Sequence, residues 1–240
     1  MNAAPSDPLA REQAHLAASR AALRAMREDV ESLDIRDVTT NWVNAQVLQG
    51  QIDERIKALA DLSHTPLFFG RLDFLHAPGA DQAEGAEVQK GSAATSAQGR
   101  GRETGGQFYI GRRHVHDADG DPMVIDWRAP VSQPFYRASK KDPQDVGLRR
   151  RFGYTGGDLT AYEDEHLTDA TEAEQVSKLL QEEIERPRVG PMRDIVATIQ
   201  PEQDEIVRSD LATSICVQGA PGTGKTAVGL HRAAWLRYSF

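Results

Sequence analysis

"GAPGTGKT", residues Gly219 to Thr226, is the stretch on which the reading of this chain turns. The pattern Gly-x-x-x-x-Gly-Lys-Thr is met by Gly219, Gly224, Lys225 and Thr226, and the "AVGLHRAAWLRYS" that follows suits a helix. Glycines let the backbone curl until successive N–H groups converge on a phosphate, and the positive end of the next helix adds to the attraction. The binding set is therefore Gly219, Ala220, Pro221, Gly222, Thr223, Gly224, Lys225 and Thr226. Lys225 is the candidate catalytic cation, reaching the β- and γ-phosphates of ATP, and Thr226 offers its hydroxyl to Mg²⁺. Just upstream, "TSICVQ" reads as a short buried strand, with Cys216 a small buried hydrophobe inside it.

Working outward, "MRDIVATIQPEQDEIVRSD" predicts two short helices, the second starting at Pro201, where the missing proline N–H does no harm. Before it, Thr171 and Glu174 have capping-box spacing and predict a helix from Thr171 to about Arg186, stopped by Pro187. Further back, "PLFFGRLDFLH", "QFYIGRRHVH" and "PMVIDWRAPV" are rich in strand formers. "DADGD" separates the last two and suits a tight reversal, so Phe108 to Val131 is expected to be a β-hairpin, ended by Pro130 and Pro134. Residues 77–106 hold Gly, Ala, Ser, Gln and charges with little to bury, and predict a disordered loop.

At the amino end, Leu9, Leu16, Leu23 and Val30 recur every seven residues, and a second stripe runs Trp42, Ala45, Leu48, Ile52, Ile56, Leu59 and Leu62. Two antiparallel helices would cover each other's narrow stripes, either as a projecting hairpin or laid flat on the next domain. The acidic residues Glu28, Asp29, Glu31, Asp34 and Asp37 gather at their junction, either a solvated end or a negative tip fit for a basic channel. The divisions are 1–64 for the helical pair, 65–158 for a β-rich region and 159–240 for a helical linker leading to the glycine loop. The fold class is α/β, α+β overall.

Composition narrows the rest. A net charge of −8 argues against a surface that coats nucleic acid throughout, and a lone cysteine excludes an intrachain disulfide framework. No secretion signal or membrane span is legible, and the chain reads as cytoplasmic. Arg149, Arg150 and Arg151 either contact phosphates or pair with the acidic "EDEHLTDATEAE" that follows, the second being favoured. "HVHDADGD" lacks the glycine and glutamate positions of a calcium loop and reads as a turn. Asp126 is the upstream candidate for a magnesium-side carboxylate, although "MVIDW" reads better as half of the hairpin.

The blocks "YIGRRHVHDADGDPMVIDWRAPVSQPFYRAS", "MRDIVATIQPEQDEIVRSD" and "GAPGTGKT", in that order after a helical pair, resemble the amino-terminal portion of the HelD family of superfamily one helicase-like ATPases. "VIDWRAP" followed by "FYRA" is the specific part. The resemblance implies a motor that acts on RNA polymerase, uses ATP and Mg²⁺, and begins a RecA-like domain at the glycine loop. Related proteins are described as DNA helicases, which makes DNA or RNA the second class of partner. By the same resemblance Gln203 contacts the adenine ring, with Gln200 in reserve, because an amide can both give and take a hydrogen bond. The carboxylate motif and arginines of such motors would follow Phe240, so this chain reads as the front of a longer motor, a monomer with little turnover alone and a loosely held carboxyl end. A non-catalytic polymerase-binding module is the alternative.

Overall fold

The computed structural model describes residues 7–33, 42–76, 105–169, 177–185, 195–212 and 214–240. Its helices are α1 (Pro8–Glu31), α2 (Trp42–Ala58), α3 (Pro134–Arg137), α4 (Lys178–Glu185), α5 (Pro201–Val207) and α6 (Lys225–Ser239). Its strands are β1 (Phe68–Phe74), β2 (Gln107–Gly111), β3 (Val115–His116), β4 (Pro122–Asp126), β5 (Val146–Thr155) and β6 (Asp158–His166). They form one six-stranded sheet in the order β3-β4-β2-β1-β5-β6. Helices around a mixed sheet agree with the α/β reading. No helix among the described residues is long and apolar enough to cross a membrane.

β2 and β4 are parallel neighbours, Ile110 opposite Ile125, so the hairpin expected over Phe108 to Val131 takes another form. The reversal at "DADGD" joins the two-residue β3 to β4, Val115 opposite Val124. The Asp117 carboxylate accepts from Asp119 N at 3.0 Å and Asp121 N at 2.9 Å, the side-chain-to-backbone pattern that favours turns. "QFYIGRRHVH" is thus two strands, because the turn fixes the register of only its last residues.

Both faces of the sheet are covered. On one, α1 lays down Leu16, Leu23 and Met26 against Phe68, Val115, Val124, Phe152 and Leu159. On the other, Phe69, Leu72, Ile110 and Val146 meet Phe135 of α3, Val207 of α5 and Val228 of α6. A register shift between Phe68 and Gly70 breaks the alternation of β1, consistent with Phe69 sharing a cluster with Leu72, three residues on, while Phe68 joins the other.

α1 begins at Asp7, whose carboxylate caps Leu9 N at 3.1 Å, with Pro8 in the first turn. Its buried face is Glu12, Leu16, Ser19, Leu23 and Met26, so the seven-residue seam faces the sheet. The two stripes meet only at one end: α2 buries no residue and Trp42 is 75% exposed, whereas Leu59, just beyond α2, is buried with Leu16, Leu23 and Met26. Contact between the two elements centres on the end of α2, where Asp61 takes Arg20 and, at 2.9 Å, Arg24. The junction bearing Asp34 and Asp37, the loop from 77 to 104 and the capping box at Thr171 lie outside the described residues.

Candidate functional site

The glycine loop sits between an irregular segment, residues 214–218, and α6. Gly222 and Gly224 adopt φ of 84° and 81°, left-handed conformations that a side chain disfavours, and this is how the chain curls. Thr223 closes the curl from its own side chain, Oγ1 donating to Ala220 O at 2.9 Å. Lys225 Nζ folds into the crook and donates to Gly219 O at 2.8 Å and Ala220 O at 2.7 Å. Thr226 is exposed in the first turn of α6, where backbone N–H groups have no intrahelical partner. A hydroxyl there, beside a cation and a helix start, fits Mg²⁺ with triphosphate.

Gln203 lies beside this loop. A Cβ built on Gly224 would stand 3.8 Å from Gln203 Nε2. Its Oε1 accepts from Gln200 N at 3.1 Å, which fixes the amide at the start of α5. Gln200 turns its own amide to Thr198 O, 3.1 Å away, and is spent on the turn before the helix.

Upstream, the buried strand expected before the loop is absent. Residues 214–220 form no strand, and Ile215 and Val217 are each 37% exposed. Cys216 is exposed rather than buried. Among the described residues no strand pairs with this segment, so its backbone groups stay in water instead of being buried unpaired. The first of the two short helices is likewise absent over 195–200, where 196–198 make a single turn. α5 starts at Pro201 as its sequence suggested.

What holds the loop is a mount beneath it. Ala227 and Val228 are the buried residues of α6, and Val228 enters the core with Val207 of α5 and Val196. Arg232 of α6 caps the end of α5, donating to Ile206 O at 3.0 Å, Ser209 O at 2.7 Å and Asp210 O at 3.0 Å. Asp204, fully buried, receives Arg137 Nε at 2.6 Å and Arg208 Nε at 2.8 Å. Arg208 also donates to Trp127 O and, at 3.1 Å, to Arg128 O. The "DWR" at the end of β4 and the "FYR" of α3 thus lock onto α5, with the Trp127 ring 5.6 Å from His231 of α6. The i,i+4 spacing of Asp204 and Arg208 is a signal that the sequence expectations passed over; Arg137, distant in sequence, left none.

The other candidates resolve into structure. Asp126 is buried and held by Arg128 through Nε at 2.8 Å and Nη2 at 2.6 Å, so its carboxylate is already engaged. Arg149 pairs with Glu165 at 2.7 Å and Arg150 with Asp164 at 2.5 Å, as the acidic run suggested, while Arg151 pairs with neither. "HVHDADGD" is the turn between β3 and β4 that its residues suggested.

A family model, that of the DNA helicase IV HelD N-terminal domain, matches residues 9–178, most of the chain. The chain belongs to the HelD family. No curated protein matches it. The HelD match spans α1 through the start of α4 and includes the "VIDWRAP" block that clamps α5; the glycine loop lies beyond it.

Proposed function

We propose that this chain binds ATP with Mg²⁺ at Gly219 to Thr226 and serves a HelD-type, helicase-like ATPase that works on RNA polymerase. The observation that carries the nucleotide reading is Lys225 Nζ seated in the crook of the loop on two carbonyls, with the Gln203 amide beside Gly224. When triphosphate enters, Lys225 exchanges those carbonyls for phosphate oxygens, Gly222 and Gly224 supply the curl, and Gln203 meets the adenine edge. Thr226 would give Mg²⁺ one oxygen ligand, and the metal would supply positive charge to the phosphates.

The experiment is titration calorimetry of Mg-ATP into the chain and into Lys225→Ala. Saturable binding that weakens at least tenfold in the variant supports the proposal; equal affinity, or none in either, overturns it. The polymerase role rests on the family, and retention of RNA polymerase by the immobilised chain tests it.

The family description favours a second reading, action on DNA. Against it, Arg149 and Arg150 turn to internal carboxylates and the net charge is −8. Single-stranded DNA binding with a steep salt dependence would favour it over the polymerase.

A further inference from the structure

A cleft among the described residues lies away from the glycine loop. It holds about 470 Å³ between residues 64–66, the β5–β6 turn, α4 and residues 197–198. Arg151 of β5 lines it. Its neighbours Arg149 and Arg150 have carboxylate mates, but the residue opposite Arg151 on β6 is Glu163, which is committed elsewhere. Glu163 accepts from Ser177 Oγ at 2.6 Å, Lys178 N at 3.2 Å and Leu179 N at 3.3 Å, capping the start of α4. Arg151 is left with its guanidinium 4.9 Å from the Phe135 ring centre and a buried Nε that has no hydrogen-bond partner among the described residues. Burial, and then Arg149, push it down to about 10.

A buried guanidinium N–H with no acceptor is costly, and the planar fork that carries it matches carboxylate or phosphate oxygens. A second cation, Arg112, borders the same cleft, anchored through Nη1 to Pro66 O at 3.0 Å. Phe69, Leu179, Leu180 and Ala197 supply an apolar lining, and the volume is that of small-molecule sites. We infer that this cleft binds a small organic anion, a carboxylate or phosphate group on an apolar or aromatic body, with Arg151 and Arg112 gripping the charge.

Phenyl phosphate, benzoate, inorganic phosphate and benzyl alcohol are titrated by calorimetry into the whole chain carrying Lys225→Ala, which separates this cleft from the glycine loop. Phenyl phosphate or benzoate is expected to bind saturably at millimolar concentration or below, more tightly than inorganic phosphate, while benzyl alcohol does not. Adding Arg151→Met, with the fold checked by circular dichroism, weakens the organic anion about tenfold or more, as loss of a charged hydrogen bond should. Arg112→Gln provides a second, independent weakening if the first variant fails to fold. Equal affinity in both arginine variants, benzyl alcohol binding as well as the anions, or no organic anion binding overturns the inference. Preference between phenyl phosphate and benzoate assigns the head group.

Discussion

Replacing Asp204 by alanine removes the charge that joins α3 and α5. Asp204 is 0% exposed, Arg208 has a side chain 6% exposed and Arg137 one 24% exposed, so the two cations are stranded unequally. Taking one partner from a buried ion pair costs roughly 3–5 kcal/mol, because the remaining charge is desolvated and uncompensated. Arg137 can rehydrate and Arg208 keeps two backbone carbonyls, so the lower end, about 3 kcal/mol, is expected. Urea unfolding of Asp204→Ala measures this, provided the slope of the transition matches wild type. In an Arg208→Met background the same change should cost less, since the most buried stranded cation is gone. A loss below about 1 kcal/mol in the wild-type background would refute the reasoning, placing Asp204 in the range of exposed pairs.

Three other changes probe the same structure. Glu12 on α1 is buried and accepts from Arg71, from Arg150 at 2.6 Å and from the Tyr109 hydroxyl at 2.8 Å, so Glu12→Ala should cost about 3 kcal/mol in urea unfolding, both arginines keeping an aspartate. Gly224→Ala forces an L side chain to φ of 81°, and should weaken Mg-ATP binding in calorimetry while costing on the order of 1 kcal/mol of stability. His15, stacked on Tyr109 with ring centres 3.7 Å apart, has its pKa lowered by burial, with Arg71 adding to the fall while the Met123 carbonyl and Glu12 oppose it. The unfolded chain therefore takes up this proton first as pH drops through the ordinary value of 6.5, and stability is lost from there down to the lowered folded value. His15→Phe should flatten the fall in unfolding free energy between pH 7.5 and pH 5.5; an unchanged slope would contradict it.

The glycine loop, the start of α5 at Pro201 and the apolar strand β1 were legible because each depends on local chemistry: left-handed glycines, a proline at a helix start, and consecutive strand formers. The pairing of Arg149 and Arg150 was legible because their acidic partners follow on the next strand. Elsewhere the deciding contacts are distant. Glu12 has the sequence context of a solvated helix face, and only the fold brings Arg71 and Arg150 to it. The parallel pairing of β2 with β4 left no trace, since an alternating strand does not name its neighbour. "SICVQ" misled because apolar composition makes a strand only where another strand pairs with it, and Arg151 was hidden because Glu163 is taken up by the α4 cap.

The most direct measurement of the central claim is phosphorus NMR of Mg-ATP mixed with the chain. A curled loop with Lys225 in its crook should shift and broaden the β- and γ-phosphorus resonances saturably, and Lys225→Ala should abolish the change. Resonances that stay where they are in free Mg-ATP, or that move equally with the alanine variant, would contradict the account.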